Sequence, residues 1–493
     1  MESPVAKKGT QPEEEDRLSV LMDDVLLSIL RKVDISTAVR TSSLSTRWRQ
    51  LPWLLPELSI DVRHFLPVPC PDSIAANDCQ QAMVALTKAA KCLFAKPQRK
   101  STITTLQLQL YLISTFLSDI GPLLGDMIDS GLLKDLDLCL LDDLKPGDSS
   151  ELHMLQLAKD MYGFFNAYPS VFGCLTRLSL HGVCFIELDM HHLLFDCCTQ
   201  LKHLSLHYCD AGRRSVWKID APNSKLSVLE IDTCCFERID LICLPELEKL
   251  HWDTWVSEYI PLSFGDAPSL GELKLSSALT YYNTVFKLSE LLHGTTSIHT
   301  LTLDFQGENL WMQPEMKQLR TAFNKLRKLT LRGIFVEFDI LWITAFLEAA
   351  PSMEILLIEV WDHACSAFVN DEERRSVFAE RKNPQWEMDF RCSKNWLLKE
   401  LQFVGFRSLE QQFAFIRALL DRAPNLQTIL LKGAEQCKYC DALDTKSCCS
   451  TESSFPKGED EQELVARRIT DGKSSPQSNS CINSGAVMYQ QIR

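Results

Sequence analysis

The sequence predicts an α/β solenoid: a short N-terminal bundle of three helices, then stacked repeats forming an irregular horseshoe with a parallel sheet on its concave face. Three observations carry that prediction. The hexad Leu-x-x-Leu-x-Leu, in its strict or conservative form, recurs twelve times between Ile103 and Leu431, its central copies stand at near-constant spacing, and apolar residues follow a helical spacing from Leu18 to Leu51 before them.

Residues 1–15 include Lys7, Lys8, Glu13, Glu14 and Glu15 and show no apolar period, so they are expected to be a solvated leader. From Leu18 to Leu51 apolar residues follow a helical period: Val25, Leu26, Ile29, Leu30 and Val33 form one stripe, and Ile35, Ala38 and Val39 begin another. Asp23 and Asp24 suit the positive end of the first helix. Asp34 or Ser36 can cap a second, and a third is expected through Ser45, Arg47 and Trp48 until Pro52 stops it. So small a bundle buries little, and part of its apolar surface is expected to meet a partner.

The hexads begin at Ile103, Leu133, Leu175, Leu201, Leu226, Leu247, Leu270, Ile298, Leu326, Met353, Leu398 and Leu426. From Leu175 to Met353 the steps are 26, 25, 21, 23, 28, 28 and 27 residues. Leucine-rich repeats run about 20 to 29 residues, and chance does not keep seven consecutive steps inside that window. Two steps, of 42 residues before Leu175 and 45 before Leu398, imply insertions or longer helices. After Leu431 the pattern ends, and the Ser-, Cys- and Gln-rich segment 434–493 is expected to be mostly disordered.

The formal charge of −14 argues against broad nucleic-acid binding, which needs a clustered cationic surface. No apolar stretch reaches the length of a membrane span, and residues 1–50 lack a basic segment followed by an unbroken apolar run, so cytoplasm or nucleus is expected and the nineteen cysteines are read as reduced thiols. Common nucleotide, hydrolase and metalloprotease motifs are absent. Neither catalysis nor a cofactor is expected.

The segments Asp16-Arg-Leu-Ser-Val-Leu-Met-Asp-Asp-Val-Leu-Leu-Ser-Ile-Leu30 and Thr41-Ser-Ser-Leu-Ser-Thr-Arg-Trp-Arg49 resemble the F-box of the plant F-box and leucine-rich-repeat family. Leu398 to Arg407 and Ala423 to Ile429 look like that family's last repeats. The resemblance implies an F-box over 16–56 and a leucine-rich-repeat domain over 57–433. It further implies a non-catalytic substrate receptor of an SKP-cullin-F-box ubiquitin ligase, working by proximity. Adaptor contacts would then come from Leu21, Asp24, Val25, Leu26, Ile29, Leu30, Leu44, Arg47 and Trp48. Met22 stands where the family usually has Pro. A protein-interaction scaffold with a weakened F-box and a small-molecule-sensing receptor are the alternatives, although the cations are scattered rather than gathered in a ring.

Within each hexad the leucines should face the core and the intervening residues outward, because side chains alternate along a strand. The target protein is therefore expected on Arg177, His181, His203, His207, Glu230, Asp232, Lys249, His251, Asp253, Lys274, Lys328 and Arg332. Cys437, Cys440, Cys448 and Cys449 have the residue types of a structural zinc site, but adjacent Cys448 and Cys449 seldom serve one ion, and free thiols fit better. His203, His207 and Cys209 share even spacing and read as surface residues rather than metal ligands, and Cys197, Cys198, Cys234 and Cys235 read as packing.

Overall fold

The computed structural model describes residues 20–67, 76–94, 101–145, 148–212, 215–255, 259–277, 285–307, 310–313, 315, 317–361, 396–434, 455–456, 458–470, 478–483 and 486–491. The leader and the four tail cysteines lie outside them, as does most of the 45-residue step before Leu398. The chain forms two compact units, the first built from 1–145 with 159–176 and the second from 146–158 with 177–493.

The first unit opens with helices α1 (Asp23–Leu30) and α2 (Ile35–Arg40). Asp34 caps α2 by accepting from Thr37 N at 2.8 Å. The expected third α-helix does not form, and 3₁₀ turns at Thr41–Ser43 and Leu51–Leu54 flank a run of turns. The local cause is the hydroxyl-rich segment, whose side chains compete for backbone groups: Thr41 Oγ1 donates to Ala38 O, Ser43 Oγ donates to Arg40 O, and Ser45 Oγ accepts from Trp48 N.

A strand then appears that the hexad search passed over. It is β1 (Glu57–Asp61), parallel to β2 (Ile103–Tyr111), which is parallel to β3 (Leu133–Leu141). Its signal was present, since Leu55, Leu58 and Ile60 complete a thirteenth hexad and are all buried. Helices α3 (Ala76–Phe94) and α4 (Ser114–Asp129) pack against each other within the unit. Helix α5 (Glu151–Ala167) and the short α6 (Pro169–Cys174) occupy the 42-residue step. Gly121 in α4 leaves the space that the Tyr168 ring fills, because a Cβ there would lie 2.1 Å from its Cε2.

In the second unit the remaining hexads produce one long parallel run: β4 (Leu175–His181), β5 (His203–His207), β7 (Val228–Asp232), β9 (Lys249–Asp253), β11 (Glu272–Ser276), β13 (Thr300–Asp304), β15 (Lys328–Phe335), β16 (Ile355–Trp361), β17 (Glu400–Val404) and β18 (Thr428–Lys432). Their register places the fourth hexad residues opposite one another, from Leu178, Leu204 and Leu229 to Leu401 and Ile429. Every member of that row is buried, and this shared core is why each repeat needs its neighbours.

A second parallel sheet, absent from the sequence reading, joins β6 (Val216–Asp220), β8 (Arg238–Cys243) and β10 (Leu262–Asp266), and a small third one joins β12 (Phe286–Lys287) and β14 (Met312–Gln313). Short helices α7 (Leu288–Leu291) and α8 (Thr344–Ala349) precede β13 and β16, and α9 (Glu410–Arg422) precedes β18. The expectation of little order past 434 does not extend over α10 (Glu459–Thr470), which packs on α9. There Arg468 lies over the Phe413 ring at 4.2 Å and pairs with Glu410 at 2.7 Å. Beyond it β19 (Ser478–Asn483) and β20 (Ala486–Gln491) form an antiparallel pair, and β20 runs antiparallel to β18.

Candidate functional site

Two surfaces are candidates, one in each unit. On α1 the helical period separates two faces. Leu26 and Leu30 are buried, while Met22, Val25 and Ile29, one turn and two turns apart, are exposed, as is Leu44 beyond α2. Three of the expected contacts, Leu26, Leu30 and Trp48 (5% exposed), are buried in the core of the bundle. Leu21 is half-buried and Asp24 exposed in the first turn of α1. Arg47 is committed within the bundle. It pairs with Asp23 at 2.6 Å and donates to Leu21 O, fastening the start of α1 to the end of the motif. Met22 caps α1 with φ −69° and ψ 155°, a backbone setting that proline also adopts.

On the second unit all twelve residues expected at the target surface lie on the outward face of the long sheet, in three rows set by the register. Glu230 is held from both sides. His203 Nε2 donates to its Oε2 at 2.9 Å, His251 Nδ1 lies 3.4 Å from Oε1, and Ser205 Oγ donates at 3.3 Å. These bonds, the one from His203 foremost and that from His251 next, hold the Glu230 carboxyl well below the usual carboxylate range. His251 Nε2 also donates to Glu272 at 3.2 Å, and Lys249 Nζ reaches the other oxygen of Glu272 at 3.0 Å.

His207 spans Asp232 at 3.2 Å and Ser205 at 2.9 Å, and its ring stacks on His181 with centroids 4.3 Å apart. Burial pushes the Asp232 carboxyl up, but the bonds from His207 and Thr233 outweigh it and leave the group lowered. Asp253 accepts from Gln306 Nε2 at 2.8 Å, and Arg332 pairs with Glu359 at 2.7 Å. Lys274 and Lys328 have no ion-pair or hydrogen-bond partner among the described residues. Asp304, at an outward position of β13, is nonetheless 1% exposed, and burial raises its carboxyl to about 6. Gly333 (φ 63°) packs over it, where a Cβ would sit 2.8 Å from Asp304 Oδ1.

Strand ends carry a feature that no sequence rule announced. Tyr208, Thr233 and Thr254, each directly after a strand, have φ of 52°, 50° and 54°. That is an uncommon setting for β-branched threonine. The hydroxyls of Thr233 and Thr254 bond to Asp232 and Asp253, and the left-handed residue turns the next side chain inward. Cys209, Cys234 and Trp255 are consequently buried. Cys209 therefore does not share the face of His203 and His207, contrary to the even spacing, and its Sγ donates to Leu180 O. Of the paired cysteines, Cys198 and Cys234 are core residues, whereas Cys197 is half-buried and Cys235 exposed.

The sequence reading left out Ile355, Leu357 and Leu430. They occupy outward positions of β16 and β18 and are half-buried. Counting register from the hexad leucines finds them, but apolar residues on a strand are readily taken for core. Among the described residues no helix is long and apolar enough to cross a membrane.

Comparison with known proteins gives two family matches: the F-box domain over residues 18–52, and the LRR domain of the At1g61320/AtMIF1 type over residues 147–472. Three similar Arabidopsis thaliana proteins bear F-box names. The FBD-associated F-box protein At5g56820 is 23% identical over 48% of this chain and 57% of its own length. The F-box/LRR-repeat protein At5g02910 is 24% identical over 92% of this chain and 95% of its own. FBD-associated F-box protein At5g60610 is 23% identical over 84% and 98%. The chain thus spans little more than half of the first relative and nearly all of the other two.

Proposed function

The chain belongs to the plant F-box and leucine-rich-repeat family, and from that premise we propose that it is the substrate-recognition subunit of an SCF-type ubiquitin ligase. The F-box docks on an SKP-type adaptor, the sheet of the second unit holds a target protein, and the bond-forming chemistry belongs to other subunits. Raising the local concentration of a target beside the charged enzyme needs affinity and geometry, not a nucleophile. The observation that carries this reading is the exposed stripe of Met22, Val25 and Ile29 on a helix whose opposite face is already buried. An apolar stripe left over after the core is complete is a docking surface in want of a partner. The Pro-like backbone of Met22 supports an intact motif over a weakened scaffold.

The test is co-purification of the full chain with a plant SKP-type adaptor. The wild type should form a stable complex, and Val25→Asp with Ile29→Asp should abolish it while leaving the circular-dichroism spectrum unchanged. Trp48→Ala should lose the complex together with the melting transition of the bundle, because it removes a core side chain. Met22→Pro should bind at least as well as wild type. A wild-type chain that leaves the adaptor in the flow-through would overturn the assignment.

A further inference from the structure

The outward face changes character along the sheet. From β5 to β9 every outward carboxylate is already satisfied: Glu230 by His203 and His251, Asp232 by His207, Asp253 by Gln306. A surface so paired gains little from a charged ligand, because a new ion pair must first displace an old one. From β11 onward the balance differs.

Lys274 is half-buried and Lys328 exposed, and both ammonium groups lack partners among the described residues. The carboxylates near them have partners: Glu272 in Lys249 and His251, Glu354 in Arg327 and Lys399, Glu359 in Arg332 and Trp361, and Glu400, in register with Lys328 across Ile355, in the amide of Gln402. In register with Lys274, across Thr302 and Thr330, stand the outward apolar residues Leu357 and, past Gln402, Leu430. Lys328 stands two strands from Lys274 and one outward position back along its strand, in register with Glu272, which puts the two about 12 Å apart, and Leu357 lies one strand further in the row of Lys274.

We infer that this second half of the face is the primary recognition surface, and that it takes an extended acidic segment of a target protein: carboxylates about three residues apart on Lys274 and Lys328, followed by an aliphatic or aromatic side chain on Leu357 and Leu430. An extended peptide advances about 3.3 Å per residue, so carboxylates three residues apart fall within reach of the two long lysine side chains. Unpaired cations supply the attraction and the sign selectivity, and the hydroxyl of the half-buried Thr302 leaves a donor for the peptide backbone. The inference rests on the substrate-receptor reading for its biological setting, but the surface chemistry stands independently of adaptor binding.

The experiment uses the full chain and fluorescein-labelled Glu-Gly-Ser-Glu-Gly-Leu-Phe, with Lys-Gly-Ser-Lys-Gly-Leu-Phe as the charge-reversed probe, followed by fluorescence anisotropy. The acidic probe should bind and the basic probe should not. Lys274→Glu with Lys328→Glu should weaken the acidic probe at least tenfold, Lys274→Gln with Lys328→Gln should weaken it less, and Leu357→Asp should weaken it with the lysines intact. Lys225→Glu, an exposed lysine off this face, should leave it unchanged. Equal binding of the two probes, no binding of either, or indifference to the lysine reversals would overturn the inference. Adaptor co-purification on the same samples separates its failure from failure of the ligase reading.

Discussion

The two halves of the long sheet are built by one rule and end with opposite surface chemistry. Between β5 and β9 histidines and carboxylates neutralise one another, in register for His207 with Asp232 and His251 with Glu230, and diagonally for His203 with Glu230. Between β11 and β18 the same positions hold Lys274 beside Thr302 and Lys328 between Thr300 and Ile355, and Leu357 and Leu430 on either side of Gln402, with Arg332 and Glu359 the one ion pair between outward residues of these strands among the described residues. The hexad dictates only the inward residues, so adjacent repeats are free to make the outward ones cohere or stand apart. A paired surface contributes to the fold; an unpaired one is available to a ligand.

The largest effect expected at this comparison belongs to Asp304, the outward carboxylate that is buried instead of paired. Its folded pKa of about 6 lies above the ordinary 3.8. The folded state therefore holds the proton more tightly than the unfolded chain, so the contribution of Asp304 to stability is fully present below pH 3.8 and is lost as pH rises through 6. A gap of that size corresponds to about 3 kcal/mol at most. Asp304→Asn, which keeps an acceptor for Gln306 N, should flatten this slope in urea titrations between pH 4 and pH 7. An unchanged slope would mean that another group sets it.

A smaller loss, about 1 kcal/mol, is expected for Glu230→Gln, since the carboxylate is partly solvated but holds two histidines. Its folded pKa is depressed, so its stabilisation is present above the ordinary value of 4.5 and is lost as pH falls below it. Urea titrations of wild type and variant should therefore converge in acid and separate near neutral pH. Smallest of all, Lys328→Met should leave stability within about 0.5 kcal/mol of wild type, as for a surface residue without partners, while weakening the acidic probe. A measurable stability loss there would show that Lys328 is paired after all and would blur the contrast between the halves.

Much of this was legible in residues. The hexads located every strand from β2 to β5 and the long-sheet strands from β7 to β18, because a buried parallel sheet needs apolar residues at fixed intervals. The same spacing marks β1 at Leu55, Leu58 and Ile60. The strands β6, β8 and β10 are short alternations without a leucine-led hexad, although Phe236, Ile239 and Leu241 give β8 a looser version of the same spacing. For the bundle, helical period identified α1 and α2 but could not say which of Val25, Leu26, Ile29 and Leu30 faced inward.

The sequence by itself determined that this is a small helical motif followed by stacked repeats, and which side of each main strand is core, since both follow from spacing along one chain. Only the tertiary structure decided that Leu26, Leu30 and Trp48 are interior while Val25 and Ile29 remain outside. It alone showed that left-handed residues after β5, β7 and β9 turn Cys209, Cys234 and Trp255 into the core. It also decided which outward charges are spent on one another. Such pairings join residues 21 to 53 positions apart, and their strength depends on register, burial and the angle of approach, none of which a linear pattern records.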